Sequence, residues 1–331
     1  MPATAVFSKA LGYWLIAAVL AVVIPGSAGS QTAGKVYWLG ALMQSAGSVE
    51  RIRAYMLPVL AREGFAEGRN LVLEVRVGTA TELPALAEEL LASKPDAILA
   101  NGSVAIRAVR QHSSMVPIVG SAIGGDPVAA GFAASLARPG ANVTGVVMLA
   151  PELDAKRLEL LHQAVPTTRR VAVLGTSPMT AKENIAAVLR VGEALGLELS
   201  AFDAEVPANY PAAFAEMRSA GAEGLAILSA PDFFTNASTL ATLALEAGLP
   251  TVCEWRKMAD EGCLLGYGPN LAKLRGRTAD YVTRIFRGTA PGELPIEQPT
   301  HFDFAVNLKT AKSLGLSIPP AILARADEII E

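Results

Sequence analysis

From residue 34 onward the apolar positions switch repeatedly between short continuous runs and helical spacing. Val36 to Leu42 is an apolar run and reads as a strand. Val49, Ile52, Met56, Val59 and Leu60 then recur at helical intervals, with Ser48 as a candidate N-cap. Pro58 inside that helix predicts a kink or an early end. Asn70 to Val77 alternates as a strand does, and residues 81–94 carry Leu83, Leu86, Leu90 and Leu91 on one helical side. AILANGSVAIRA (97–108) supplies the next strand and helix, and Val116–Ser121 and Val143–Leu149 read as further strands. The rhythm then restarts. Helices are expected at 151–166, 180–195, 209–220, 234–247 and 270–287, separated by strands at Arg170–Gly175, 197–203, Leu225–Ser229, Thr251–Glu254 and Leu264–Tyr267.

Strands separated by helices mean βαβ units and parallel sheets. Two such runs predict an α/β chain with two lobes of similar design. In open parallel sheets a ligand sits beyond the carboxyl ends of the strands, at the switch point of the winding. With two lobes facing each other, the loops of both meet in one cleft. That rule selects Ser45, Ser48, Asn101, Ser103 and Ser121 in the first lobe, and Ser177, Asp232, Glu254 and Trp255 in the second. Gly102 lets backbone approach closely, and Ser103 can cap a helix whose first N–H groups hold a carboxylate. An ordinary capped turn is the alternative there. Asp232 or Glu254 would pair with an amino group if the ligand has one, although Asp232 also suits a helix N-cap. Trp255 or Tyr267 would cover an apolar part of the ligand, and Trp255 equally suits interlobe core.

The first thirty residues change the picture. Lys9 is followed by the apolar run Leu11 to Ile24, then Pro25, Gly26, Ser27 and Ala28. A positive start, an apolar run of ~7–15 residues and a small-residue end describe a secretory signal peptide, here residues 1–30. The run is short for a membrane span of ~20 residues. No cysteine stands near the cleavage region to carry a lipid, so the expected product is soluble and periplasmic. The net charge of −3 includes no basic block, which argues against nucleic acid as a partner. Cys253 and Cys263 are candidates for a disulfide in an oxidising compartment; two small buried hydrophobes are the alternative.

Reactive chemistry is hard to find. His112, His162 and His301 have no zinc-like neighbours, and GxxxxGK[ST], GxSxG and GxGxxG are absent. Asp126 in GGDPV reads as turn chemistry. No catalytic residue, metal or cofactor is expected, and binding without reaction is the simpler use of these residues.

Five stretches carry a resemblance. They are GDPV (125–128), FAASLARPGANVTGV (132–146), AKRLELL (155–161), YGPNL (267–271) and the long block from YVTRIFRG to ARADEII (281–330). In this order they resemble the ABC-transporter substrate-binding family typified by tryptophan/tyrosine-type uptake receptors. The resemblance implies a type I periplasmic-binding-protein fold, two Rossmann-like lobes joined by three crossings near residues 150, 268 and 298. Lobe one would be 34–149 plus about 269–297, and lobe two 150–268 plus about 298–331. His301 to Leu308 would be a strand of lobe two, and NLKTAKSLGL and PPAILARADEII closing helices. It also implies a soluble receptor that delivers a small molecule to an inner-membrane permease with its ATPase; the helix start at Asn101–Ser103 makes a carboxylate-bearing ligand the expectation, an aromatic amino acid or related acid being one such, and the receptor is expected to be a monomer. A periplasmic sensor for a membrane signalling protein and an exported serine hydrolase are the alternative readings.

Overall fold

A computed structural model describes residues 34–148, 150–176 and 182–331. Two sheets organise it. The first contains β1 (Tyr37–Met43), β2 (Leu71–Val77), β3 (Ala97–Asn101), β4 (Ile118–Gly124), β5 (Val143–Met148) and β11 (Ile296–Glu297), in the order β11-β5-β4-β3-β1-β2. The second contains β6 (Arg170–Gly175), β7 (Glu198–Asp203), β8 (Gly224–Ile227), β9 (Thr251–Cys253), β10 (Leu265–Pro269), β12 (Phe302–Asn307) and β13 (Glu328–Ile330), in the order β13-β12-β10-β9-β8-β6-β7. Each sheet starts one strand in from an edge, adds that edge strand and returns to wind the other way. The winding therefore reverses between β1 and β3 in one sheet and between β6 and β8 in the other. The chain passes between the sheets three times: after β5, after β10 and after β11.

Burial explains the strand sequences. β3 is fully buried because helices cover both faces of its sheet, so AILAN need not alternate. The edge strand β7 is mostly exposed and reads ELSAFD. On one face of the first sheet lie α3 (Leu83–Ala92) and α4 (Gly102–His112), whose Leu83, Leu90, Ile106 and Val109 pack with Ile98, Ile118 and Val147. On the other lie α1 (Ala46–Arg51), α2 (Leu57–Arg62) and the long α11 (Leu271–Phe286). Met56, Leu60, Tyr281 and Phe286 meet Leu39, Leu99 and Val119 there. The second sheet is sandwiched in the same way. One face takes α5 (Ala150–Ala164) and α6 (Lys182–Ala194), and the other takes α7 (Tyr210–Ser219), α8 (Pro231–Thr235) and α9 (Ala237–Glu246). The remaining helices are α10 (Arg256–Asp260), α12 (Leu308–Ser313) and α13 (Pro320–Leu323).

Several expectations change. Ser45, not Ser48, is the N-cap of α1, and Ser48 sits inside the first turn. Pro58 does not end its helix. Residues Ile52–Met56 widen into a π-helical turn and α2 continues from Leu57. Proline has no N–H to satisfy the carbonyl four residues back, and a wider turn accommodates the lost bond. The sheets are not wholly parallel, because β12 runs antiparallel to β10. The last segment is not all helix. α13 stops at Leu323, and Glu328–Ile330 adds a parallel edge strand to β12, fixed by a 2.8 Å bond from the Phe304 N–H to the Asp327 carboxylate. Gly145 is sterically required: a Cβ there, at φ +139°, would lie 2.0 Å from the Gly120 carbonyl oxygen where β4 and β5 shift register.

Cys253 and Cys263 form a disulfide, with Cα atoms 6.4 Å apart. It joins the end of β9 to the approach to β10 and closes a loop around α10, just beyond Glu254 and Trp255. Cross-linking a loop of this length restricts the unfolded chain by about 2–3 kcal/mol. Replacing both cysteines with alanine is expected to lower the free energy of unfolding by that amount, seen as a lower midpoint in urea with an unchanged far-ultraviolet circular dichroism spectrum.

Candidate functional site

The site builds up from the ends of β1, β3 and β4. Ser45 follows β1 at the N-cap position of α1 without a side-chain capping bond, and its Oγ lies 3.0 Å from Ser48 Oγ. The Arg51 guanidinium, one turn on, donates to Ser48 Oγ at 2.7 Å. Asn101 ends β3, and Gly102 follows at φ +83°, which turns the chain into α4. Ser121 on β4 donates to Asn101 Oδ1 at 3.4 Å and accepts from Arg275 Nη1. Arg275 comes from the second turn of α11 and is 4 % exposed. Its Nε has no hydrogen-bond partner among the described residues, and no carboxylate among them pairs with it. Burial is the main cause that pushes its pKa down, to about 9, and the nearby Arg51 charge adds to this. It is still a cation at neutral pH.

The second half of the site lies at the ends of β8 and β9. Glu254 is buried and accepts from Ser229 and Trp255. Arg157, on α5, pairs with Asp154 one turn earlier, donates to Ser229 Oγ at 3.1 Å and gives its Nε to the Tyr267 carbonyl at 2.7 Å. Burial raises the pKa of both Asp154 and Glu254, more than the Arg157 charge lowers them. The halves face each other. Arg51 and Glu254 lie near enough for their charges to interact. The Arg51 guanidinium stacks over the Phe234 ring at 4.6 Å, and Trp255 packs against cores of both sheets. A cavity of about 320 Å³ opens beside this contact, lined by Arg51, Tyr55, Phe234, Thr235 and Met258. A larger one of about 420 Å³ lies along the crossings, at Pro269–Asn270 and Gln298–His301, and holds none of the expected site residues.

The expected residues thus divide. Ser45, Ser48, Asn101, Gly102, Ser121, Glu254 and Trp255 gather around the facing strand ends. Ser103 is turned away, its hydroxyl bonded to the Gly124 carbonyl at 2.6 Å. Tyr267 contributes its carbonyl only. Its ring stacks on Phe302 and packs edge-on to Phe304 in the second sheet. Asp232 is exposed in the first turn of α8, with Ala230 as the N-cap, and its charge faces Tyr210. Ser177 lies outside the described residues. Asp126 accepts from the Val128 N–H at 2.8 Å, the expected turn. Sequence reasoning missed the three arginines, 51, 157 and 275. Among the described residues no three His, Cys, Asp or Glu side chains gather to hold a metal.

The sequence profile described as ABC transporter substrate binding protein matches residues 44–330. The chain belongs to this family. A tyrosine-binding protein of Clostridioides difficile is 21% identical over 284 residues, covering 81% of this chain and 78% of the relative. A conserved domain protein of Vibrio cholerae superposes with a TM-score of 0.81 at 23% identity, over 89% of this chain and all of the other. An ABC domain in complex with L-Trp from Streptococcus pneumonia gives 0.79 at 20% identity, over 89% and 100%. These structures share the type I periplasmic fold with this chain.

The buried charges yield a stability prediction. A carboxyl whose pKa is raised on folding stabilises the protein while protonated, and that contribution disappears as pH rises through the raised value. Glu254→Gln is therefore expected to melt above the wild type at neutral pH, with the difference vanishing as pH falls below the ordinary carboxylate range. Arg157→Met leaves Asp154 and Glu254 without their buried cation and is expected to lose about 3–5 kcal/mol. Melting curves of both variants from about pH 3 to 8 check this.

Proposed function

We propose that this chain is the extracytoplasmic solute-binding receptor of an ABC importer. It binds a small carboxylate-bearing molecule between its lobes and delivers it to a membrane permease driven by an ATPase. Lobe one is 34–149 with about 269–297, and lobe two is 150–268 with about 298–331. Residues 1–30 act as the export signal, and the mature receptor is periplasmic. Family membership supports the role, as do the tyrosine and tryptophan named for similar proteins.

One observation carries the ligand class. Arg275 is buried, keeps its charge, and has an Nε without a partner among the described residues, beside the ends of β3 and β4. Leaving a guanidinium buried without an anion is costly, so such a group implies an anion that arrives later. A ligand carboxylate supplies it, with Ser121 and Asn101 shaping the seat and Ser48 and Arg51 closing over it. Trp255 and Phe234 offer apolar surface to the rest of the ligand. Ligand contacts to both lobes favour the closed arrangement, which a permease can read. The chemistry is binding and release, with no bond made or broken.

Arg275→Met separates binding from folding. Removing an uncompensated buried charge is expected to leave the unliganded protein as stable as the wild type or more so. A screen of carboxylic and amino acids on ligand-free protein, read by thermal shift, is expected to find ligands that stabilise the wild type. At about 100 times Kd the gain is ~2.7 kcal/mol. The same ligands are expected to bind Arg275→Met at least about 100-fold more weakly by calorimetry. Equal affinity would remove the proposed anchor.

A further inference from the structure

α1 and α8 belong to different sheets, and they touch. Gly47 comes so close to α8 that a Cβ on it would lie 3.0 Å from Thr235 Oγ1. The Arg51 guanidinium, at the end of α1, lies 4.6 Å from the centroid of the Phe234 ring. Trp255 meets that ring edge-on at 6.2 Å and packs against cores of both sheets. The groups around Arg51 divide between the two sides. On its own side are Ser48, which accepts from it, together with Tyr55 and the charges of Glu50 and Arg275. On the other side are the Phe234 ring and the charge of Glu254. Lys257 and Glu261 line the same cavity as Arg51, but they pair with each other at 3.2 Å and are exposed.

A guanidinium over an aromatic ring is attracted by the ring's quadrupole, more strongly where the pair is withdrawn from water. Arg51 and Phe234 are both half-buried. Their contact is made by side chains of this chain alone, so its strength does not depend on which solute is bound. Resting on the two-lobe reading above, we propose that Arg51 and Phe234, with Gly47 against Thr235, form a latch that holds the lobes together before a solute binds. The latch sets the closed fraction of the resting receptor. Closing in advance lowers the work left to a solute, so every ligand binds more tightly by one common factor. Gly47 is part of the device, because a branched side chain there would meet both Thr235 Oγ1 and Arg51 Nη1 and hold the two helices apart.

The test measures the distance between the lobes without solute. Spin labels are placed on Glu88→Cys in α3 and Glu246→Cys in α9, and the chain's own two cysteines, being paired, take no label. The mature chain is freed of bound solute by unfolding in guanidinium and refolding with the disulfide intact, and distances are read by double electron–electron resonance. With the latch unaltered, a short and a long distance are expected. Phe234→Leu is expected to lower the ratio of short to long about fivefold. Phe234→Tyr keeps a ring and is expected to hold the ratio, whereas Gly47→Val is expected to leave mainly the long distance. The proposal is overturned if the unaltered latch shows only the long distance, or if Phe234→Leu or Gly47→Val changes nothing. A fall with Phe234→Tyr as large as with Phe234→Leu also overturns it. No solute takes part in this measurement, so failure of the latch leaves the solute-binding reading standing, to be decided by the thermal-shift screen above.

Discussion

A guanidinium charge held away from water, with no matching carboxylate among the described residues, is the constraint around which the site is arranged. Arg275 is almost wholly buried, because α11 lies against the face of the first sheet and its neighbours on that helix, Leu274, Ala279 and Val282, are core. Its cost is tolerated because hydroxyl and amide groups at the ends of β3 and β4 supply partial compensation. The rest of the charge waits on the cleft. The second lobe resolves its own charges differently, with Arg157 inserted between Asp154, Ser229 and the Tyr267 backbone. One lobe is thus electrostatically closed and the other open, and the two differ in what they can offer a solute.

The winding of the sheets makes that arrangement possible. Strands that run parallel put all their carboxyl ends on one side, and a reversal in strand order opens a crevice there. Both sheets reverse, and both crevices point into the shared cleft. Small and polar residues at those ends, Ser45, Asn101, Ser121 and Ser229, leave room that larger side chains would fill. Trp255 and Phe234 then close one end, with Arg51 reaching from the first lobe onto the Phe234 ring.

The strand ends were legible in the sequence because apolar runs stop abruptly at polar residues. Asn101 follows AILA, and Glu254 follows TVC. The arginines were not. Arg51, Arg157 and Arg275 sit in amphipathic helices, where a charged residue reads as the solvated face. Only packing shows that these three point inward. Ser103 and Tyr267 misled for the converse reason: both lie at the right place along the chain, but each has a partner within its own lobe that competes for it. The closing strand β13 was hidden in a segment, ARADEII, whose apolar residues fit a helix as well as an edge strand. The wider turn at Ile52–Met56 follows from Pro58, which was visible, but whether a proline breaks, kinks or widens a helix depends on what the next turn can pack against.

The three passages between the sheets have a consequence for biogenesis. The first sheet lacks its edge strand β11 and the whole of α11 until the ribosome has made the intervening second lobe. Tyr281, Val282 and Phe286 are part of its core, so the amino-terminal half emerges with one face covered only by α1 and α2. Its completion needs contacts between segments more than a hundred residues apart, and such non-local closure is slow. A nascent chain of this design stays loosely folded for longer than one with two sequential domains, and a loosely folded chain is the form that can be threaded through a membrane channel.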